Sequence, residues 1–155
     1  MVKKRHGGRR TGAGRKPKIS VPILLEPVDR SGDHGKLSVL DDLPFRAKRA
    51  FVIHGVPENC ERGRHAHRKC HQILFCAHGT FDLNVTEINT GGAVVSNWTM
   101  RIGRWMLIPA MHWMVLDNFS RNAVCLVLAS EKYRESDVIR DWDEFRKLSF
   151  RRTRK

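Results

Sequence analysis

Phe81-Asp82-Leu83-Asn84-Val85-Thr86-Glu87-Ile88, followed by Asn89-Thr90-Gly91-Gly92, is the stretch that decides the fold class. Phe81, Leu83 and Val85 alternate with Asp82, Asn84 and Thr86, the two-residue period of a strand with one face on a core and the other toward water. The Asn-Thr-Gly-Gly segment is a hairpin turn in composition, and residues 94–100 form the returning strand. Working outward, the same rhythm of short apolar runs divided by turn residues predicts strands at 21–25, 50–54, 65–68, 72–77, 105–108, 112–116 and 123–129. In the last of these, Val124 through Leu128 is apolar at every position, which predicts a strand buried in the core. A single helix is predicted over 141–148, where Trp142, Phe145 and Leu148 share a face and acids precede bases along the helix dipole. Many short strands and one terminal helix predict an all-β fold, a sandwich or jelly-roll barrel.

The 155 residues are enough for one domain with its own core. Hydrophobic residues make up 41% and charged residues 29%, and no apolar run approaches the length of about 18 residues that a membrane span needs, so a soluble protein is expected. Cys60, Cys70, Cys76 and Cys125 form no C-x-x-C pair, and the N-terminus lacks the apolar middle of a secretion signal. Reduced thiols in a cytoplasmic protein are the expectation.

The net charge of +13 looks like a nucleic-acid signature until it is located. Residues 1–18 carry eight Lys or Arg and residues 146–155 carry six, with no acid in either stretch. That leaves fifteen bases against all sixteen acids in 19–145, so the body is nearly neutral and the tails are basic. The division predicted is a disordered basic tail over 1–20, a folded domain over 21–148 and a basic C-terminal tail over 149–155. The first tail is Gly-rich and has no amphipathic face, which argues against a transit peptide. Its Gly14-Arg15-Lys16-Pro17 is similar to the Gly-Arg-Pro core of minor-groove hooks, in one imperfect copy. Any nucleic-acid binding would therefore run through the tails.

Chemistry concentrates in Arg62-Gly63-Arg64-His65-Ala66-His67. Histidines at i and i+2 on a strand face one way, about 6.5 Å apart by strand rise, with Arg64 and Arg68 facing the other. Two imidazoles facing a barrel interior, where apolar side chains are favoured, need a chemical reason. A metal is one such reason, because the spacing resembles the cupin signature, a Gly-flanked H-x-H followed by Glu and Gly and later by a Pro-x-Gly segment with another His. Here Gln72 stands where the acidic ligand would, Gly79 follows in frame, and Gly103, Pro109, Met111, Met114 and Asn118 occupy the second frame. The frame survives and two ligands do not, since an amide and a thioether suit Zn, Fe, Mn or Ni poorly. No metal and no cofactor are expected, although His71 and His112 lie near enough in sequence for a rearranged site. The other reason is proton transfer, which an imidazole with an ordinary pKa of about 6.5 performs near neutrality.

The motif Arg62-Gly63-Arg64-His65-Ala66-His67 with Gln72 resembles R-G-x-H-A-H-x-x-x-x-Q of the cupin-type sugar-nucleotide 3,4-ketoisomerases. Pro109, Trp113, Phe119-Ser120, Ala129-Ser130-Glu131-Lys132-Tyr133, Asp137, Ile139-Arg140 and Phe145 resemble further segments of that family, so the likeness runs from about residue 36 to 148. The resemblance implies isomerisation of dTDP-4-oxo-6-deoxyglucose to a 3-oxo sugar for surface polysaccharide or glycosylated products. It also implies a cupin jelly roll, a strand-exchanged homodimer and a catalytic pair in His65 and His67. Arg62, Gln72 and Trp113 are the expected substrate-binding residues, Arg62 suiting either the diphosphate or the carbonyls of the strand bend. The chain departs from the family at Phe51 and Val52, where a tyrosine is usual before the motif, and at Met114, Val138 and Trp142. Phe51 cannot replace a hydroxyl. Two other readings stand beside the enzyme: a non-catalytic cupin that binds a sugar nucleotide or a protein partner, and a basic-tailed nucleic-acid binder.

Overall fold

The alternating stretch at 81–88 becomes β7 (Thr80–Asn89), which turns through Thr90 and Gly91 onto β8 (Gly92–Arg101) in a computed structural model that describes residues 19–153. Asn89 caps the turn by accepting the Gly91 N–H on its side-chain oxygen. Phe81, Leu83 and Val85 are at most 1% exposed, while Asp82 and Asn84 on the other face bond to Thr99, Asn118 and Asp117.

The other strands are β1 (Ile23–Leu25), β4 (Arg49–His54), β5 (Arg62–His67), β6 (Gln72–His78), β9 (Trp105–Ile108), β10 (Trp113–Asp117) and β11 (Val124–Ala129). With β7, β8 and the two-residue β12 (Val138–Ile139) they make two five-stranded antiparallel sheets, ordered β1-β9-β6-β11-β4 and β12-β5-β10-β7-β8. Most neighbours in these sheets are far apart in sequence, as a jelly roll requires. Leu74, Cys76, Met106, Cys125 and Val127 from the first sheet meet Phe81, Leu83, Val85, Met100, Met114 and Leu116 from the second in one core.

The α-helix α1 (Trp142–Thr153) covers the outer face of the second sheet. Phe145, with no exposed surface, packs with Ala66, Ile88, Trp113 and Ile139. Asp141 begins the helix by accepting the Glu144 N–H at 2.6 Å, an N-cap bond.

Four features differ from the sequence expectation. β11 is buried only at alternate positions, Cys125, Val127 and Ala129, because Val124, Leu126 and Leu128 look outward and are only partly covered. A hairpin of β2 (Val28–Gly32) and β3 (Gly35–Val39) stands where the polar sequence Asp29-Arg30-Ser31 shows no strand pattern. β12 is too short to leave a periodic signal. Finally, α1 continues to Thr153 through the stretch expected as basic tail and buries Ser149. Residues 1–18 and 154–155, where most of the expected tails fall, lie outside the described residues. Among the described residues no helix is long and apolar enough to cross a membrane.

Candidate active site

The site begins with a backbone irregularity in β5. Gly63 has φ +88° and Arg64 φ 51°, and the β5–β10 register shifts between Met114 and Val115. A Cβ on Gly63 would lie 2.7 Å from the Met114 carbonyl oxygen, so only glycine allows the strands to approach here. Beyond this bend His65 and His67 project into a cavity of about 150 Å³ between the sheets, walled by Phe51, Ile53, Leu74, Met114, Leu116 and Val127.

The two imidazoles meet at their Nε2 atoms, 3.2 Å apart, with ring planes at 84°. Each Nδ1 is engaged on the far side. His65 Nδ1–H donates to the Gly63 carbonyl at 2.9 Å, and His67 Nδ1–H donates to Asp137 Oδ2 at 3.0 Å. Gln72 Nε2 lies 3.1 Å from His67 Nε2, and Gln72 Oε1 is buried without a partner among the described residues. Burial holds both imidazole pKa values below the ordinary 6.5; His65 adds to the depression at His67, and the Asp137 carboxylate opposes it. Imidazoles so placed can accept a proton and return it.

The rim is charged. Arg49 lays its guanidinium over the rings of Phe51 and Tyr133, at 4.4 and 5.1 Å from their centroids. Tyr133 donates its hydroxyl to Glu135, which also accepts from Arg140 Nε at 3.0 Å. Arg49, Tyr133 and Arg140 all line the cavity.

The structure thus brings His65, His67 and Gln72 together, with Met114 beside them. It places the other two expected residues elsewhere. Trp113 faces away from the cavity and is held edge-to-face by Trp142 at 5.2 Å, next to Phe145, so it packs α1 onto the sheet. Arg62 is exposed at the start of β5 and does not line the cavity. Of the two positions that lack the family tyrosine, Phe51 faces the cavity and Val52 is 49% exposed. Asp137, Arg49, Arg140 and Tyr133 were not singled out as site residues from sequence. Three of them sit in the segment 129–145 that carries the family resemblance, but their contact with a strand some seventy positions away is a product of folding.

The four positions that would carry metal ligands in the cupin frame hold two imidazoles, an amide and a thioether, a donor set that fits the hard and borderline ions poorly. Behind the cavity, donor atoms of His67, Cys70 and Asp137 lie within 4.8 Å of one another. Asp137 there also accepts the Lys69 N–H at 2.9 Å and the Cys70 N–H at 3.3 Å. The remaining cysteines of the core are small hydrophobes, burial pushing the Cys125 thiol up to about 12 and raising that of Cys76. His71 and His112 lie outside the cavity; His71 Nδ1 accepts the Ala110 N–H at 3.1 Å, and His112 Nε2 faces Glu87 at 3.4 Å.

Comparison with known proteins places the chain among named isomerases in sequence and fold. The chain is 31% identical over 123 residues to the TDP-4-oxo-6-deoxy-alpha-D-glucose-3,4-oxoisomerase of Aneurinibacillus thermoaerophilus, covering 77% of this chain and 84% of that protein. It superposes on QdtA, a sugar 3,4-ketoisomerase from Thermoanaerobacterium thermosaccharolyticum solved with TDP, with a TM-score of 0.79 and 27% identity over 87% of this chain and 98% of that one. The WlaRB TDP-quinovose 3,4-ketoisomerase from Campylobacter jejuni matches with a TM-score of 0.75 and 28% identity, over 83% of this chain and 99% of that one. The expected cupin-like jelly roll is therefore the fold, and since the sequence model described as "FdtA: WxcM-like, C-terminal" matches residues 22–149, the chain belongs to that family.

Proposed function

We propose that this protein is a sugar-nucleotide 3,4-ketoisomerase, interconverting the 4-oxo and 3-oxo forms of a dTDP-6-deoxyhexose in deoxy- or amino-sugar biosynthesis. The observation that carries the reading is the pair of imidazole Nε2 atoms, 3.2 Å apart, at the floor of a small cavity with apolar walls and a cationic rim. In a 4-oxo sugar the hydrogen on carbon 3 is acidified by the neighbouring ketone. One imidazole removes it, the electron pair forms the carbon 3–carbon 4 double bond, and the former carbonyl oxygen gains a proton to give an enediol. The carbon 3 hydroxyl then loses its proton as the new carbonyl forms, and carbon 4 takes up a proton. Protons alone move, so imidazoles suffice and no metal is called for. Arg49 and Arg140 at the rim suit a diphosphate.

The same reading carries an assembly and a setting. β4 is the outer strand of its sheet, and the β2–β3 hairpin pairs only with itself among the described residues, leaving Val28 and Leu37 more than half exposed. Unpaired edges and exposed apolar hairpins are usually covered, and a second copy of the chain would cover both as a homodimer in the cytoplasm.

The test is incubation with dTDP-4-oxo-6-deoxyglucose in deuterated water. We expect a 3-oxo product labelled at carbon 4, with label lost in folded His65→Asn and His67→Asn variants. Binding of the dTDP-sugar by wild-type protein without proton exchange over hours would replace the enzyme with a binding module.

A further inference from the structure

We propose that Asp137 is a positioning residue for the catalytic pair: it locks His67 in the Nδ1–H form, so that both imidazoles turn bare Nε2 atoms toward each other and hold a single proton between them. The inference rests on the ketoisomerase reading for its kinetic consequences and on geometry alone for its structural ones.

Donors and acceptors around the two rings fix where their hydrogens lie. A carbonyl oxygen only accepts, so His65 Nδ1, 2.9 Å from the Gly63 oxygen, carries a hydrogen. A carboxylate only accepts, so His67 Nδ1, 3.0 Å from Asp137 Oδ2, carries one too. Neutral rings in these forms have no hydrogen on either Nε2, and two lone pairs at 3.2 Å repel. One proton on either Nε2 turns the contact into an N–H···N hydrogen bond. A second proton would set two cations against each other at 3.2 Å, and the charge of His65 accordingly depresses His67. A single shared proton is what a reaction needs that takes one proton from carbon and returns one.

Asp137 is built to be immobile. Its backbone carbonyl accepts the Arg68 N–H at 2.8 Å, its Oδ1 accepts the Lys69 N–H at 2.9 Å, and Oδ2 accepts the Cys70 N–H at 3.3 Å as well as the His67 ring. The next residue, Val138, pairs with His67 itself along β12 and β5. The carboxylate is thus tied to the strand whose histidine it orients, and imidazoles elsewhere are oriented by a partner on the other nitrogen in the same way. Gln72 completes the set. Its amide Nε2, 3.1 Å from His67 Nε2, donates to that atom when both rings are neutral. The charged and titratable groups around the pair are Arg49 from β4, Cys70 from the turn after β5, and Tyr133, Glu135 and Arg140 from the segment before α1.

Two measurements test this. The first is nitrogen-detected NMR of the histidine rings in the substrate-free wild-type protein. It should show Nδ1 of both rings protonated across the titration and one proton taken up by the pair below the ordinary imidazole value, well ahead of a second; an Nε2–H form of neutral His67, or two protons taken up together, overturns the proposal. The second is Asp137→Asn, which keeps one acceptor oxygen for the loop and removes the charge. We expect kcat to fall at least about 100-fold with KM held within about threefold, and proton uptake by the pair to move to lower pH. Asp143→Asn, which removes a carboxylate from the exposed face of α1 far from the cavity, is the matched control and should leave the rate and the titration unchanged. A folded Asp137→Asn protein with the wild-type rate and titration overturns the proposal, whereas wild-type protein that exchanges no substrate proton overturns the ketoisomerase reading and leaves the ring assignment standing on the NMR.

Discussion

At residue scale, the decisive side chains are few and their environments differ sharply. Phe51 stands in the cavity wall, on the strand where the resemblance implied a tyrosine at 51 or 52, while its neighbour Val52 looks outward. A hydroxyl at 51 would belong to the wall of the cavity that His65 and His67 line, and one at 52 would not. Phe51→Tyr should therefore raise turnover, by several-fold up to the roughly 10² at the lower end of general acid–base help, with Val52→Tyr neutral; steady-state kinetics on both variants decide it. The histidines also set a pH dependence. Burial lowers the pKa of His65, His67, His71 and His112, so the folded state takes up protons less readily than the unfolded chain. Stability from these groups is fully present above the ordinary imidazole value of 6.5 and is lost as pH falls through the lower folded values. The melting temperature should fall on acidification from pH 7 toward 5 in thermal scans, and a value constant over that range would contradict the burial argument.

At the scale of elements, β5 and α1 depend on each other. Ala66 faces the helix with no exposed surface while its neighbours His65 and His67 face the cavity, so one strand joins the site to the outer layer. Phe145 is the peg of that layer. Phe145→Ala should destabilise by about 3–5 kcal/mol, the usual loss for a buried phenylalanine, measured by denaturant unfolding. Gly63→Ala tests the bend: its Cβ meets the Met114 carbonyl and its φ is positive, so the strands must part. The expected result is a folded protein with greatly reduced activity, because the histidines are displaced rather than removed. Full activity in Gly63→Ala would mean that the bend does not aim them.

At the scale of the molecule, the exposed hairpin and the open edge of β4 predict a dimer, and light scattering at micromolar concentration should report twice the chain mass. A monomer would refute it, and removal of residues 1–18 should leave the assembly unchanged. The donor set of the cavity predicts substoichiometric metal by elemental analysis and unfolding insensitive to chelator. One tightly held ion per chain would reopen the metal reading.

The β class, the turn after β7, the helix and the two histidines were legible in the sequence because each rests on local physics: a two-residue period, turn-forming side chains, a helical stripe and the side-chain geometry of a strand. The burial of β11 on one face was not legible, since a run of apolar residues looks the same whether both faces are covered or one. Trp113 shows a related limit. Its motif places it near the site, and only the folded chain reveals which side of β10 it occupies, under Trp142 and Phe145. The partner of His67 was beyond local reading as well. Sequence alone determined that two imidazoles share a strand face; the tertiary structure decided which groups hold their outer nitrogens, because Asp137 reaches His67 only when β12 pairs with β5. A hydrogen bond between residues so far apart along the chain is set by topology, and no local pattern encodes it.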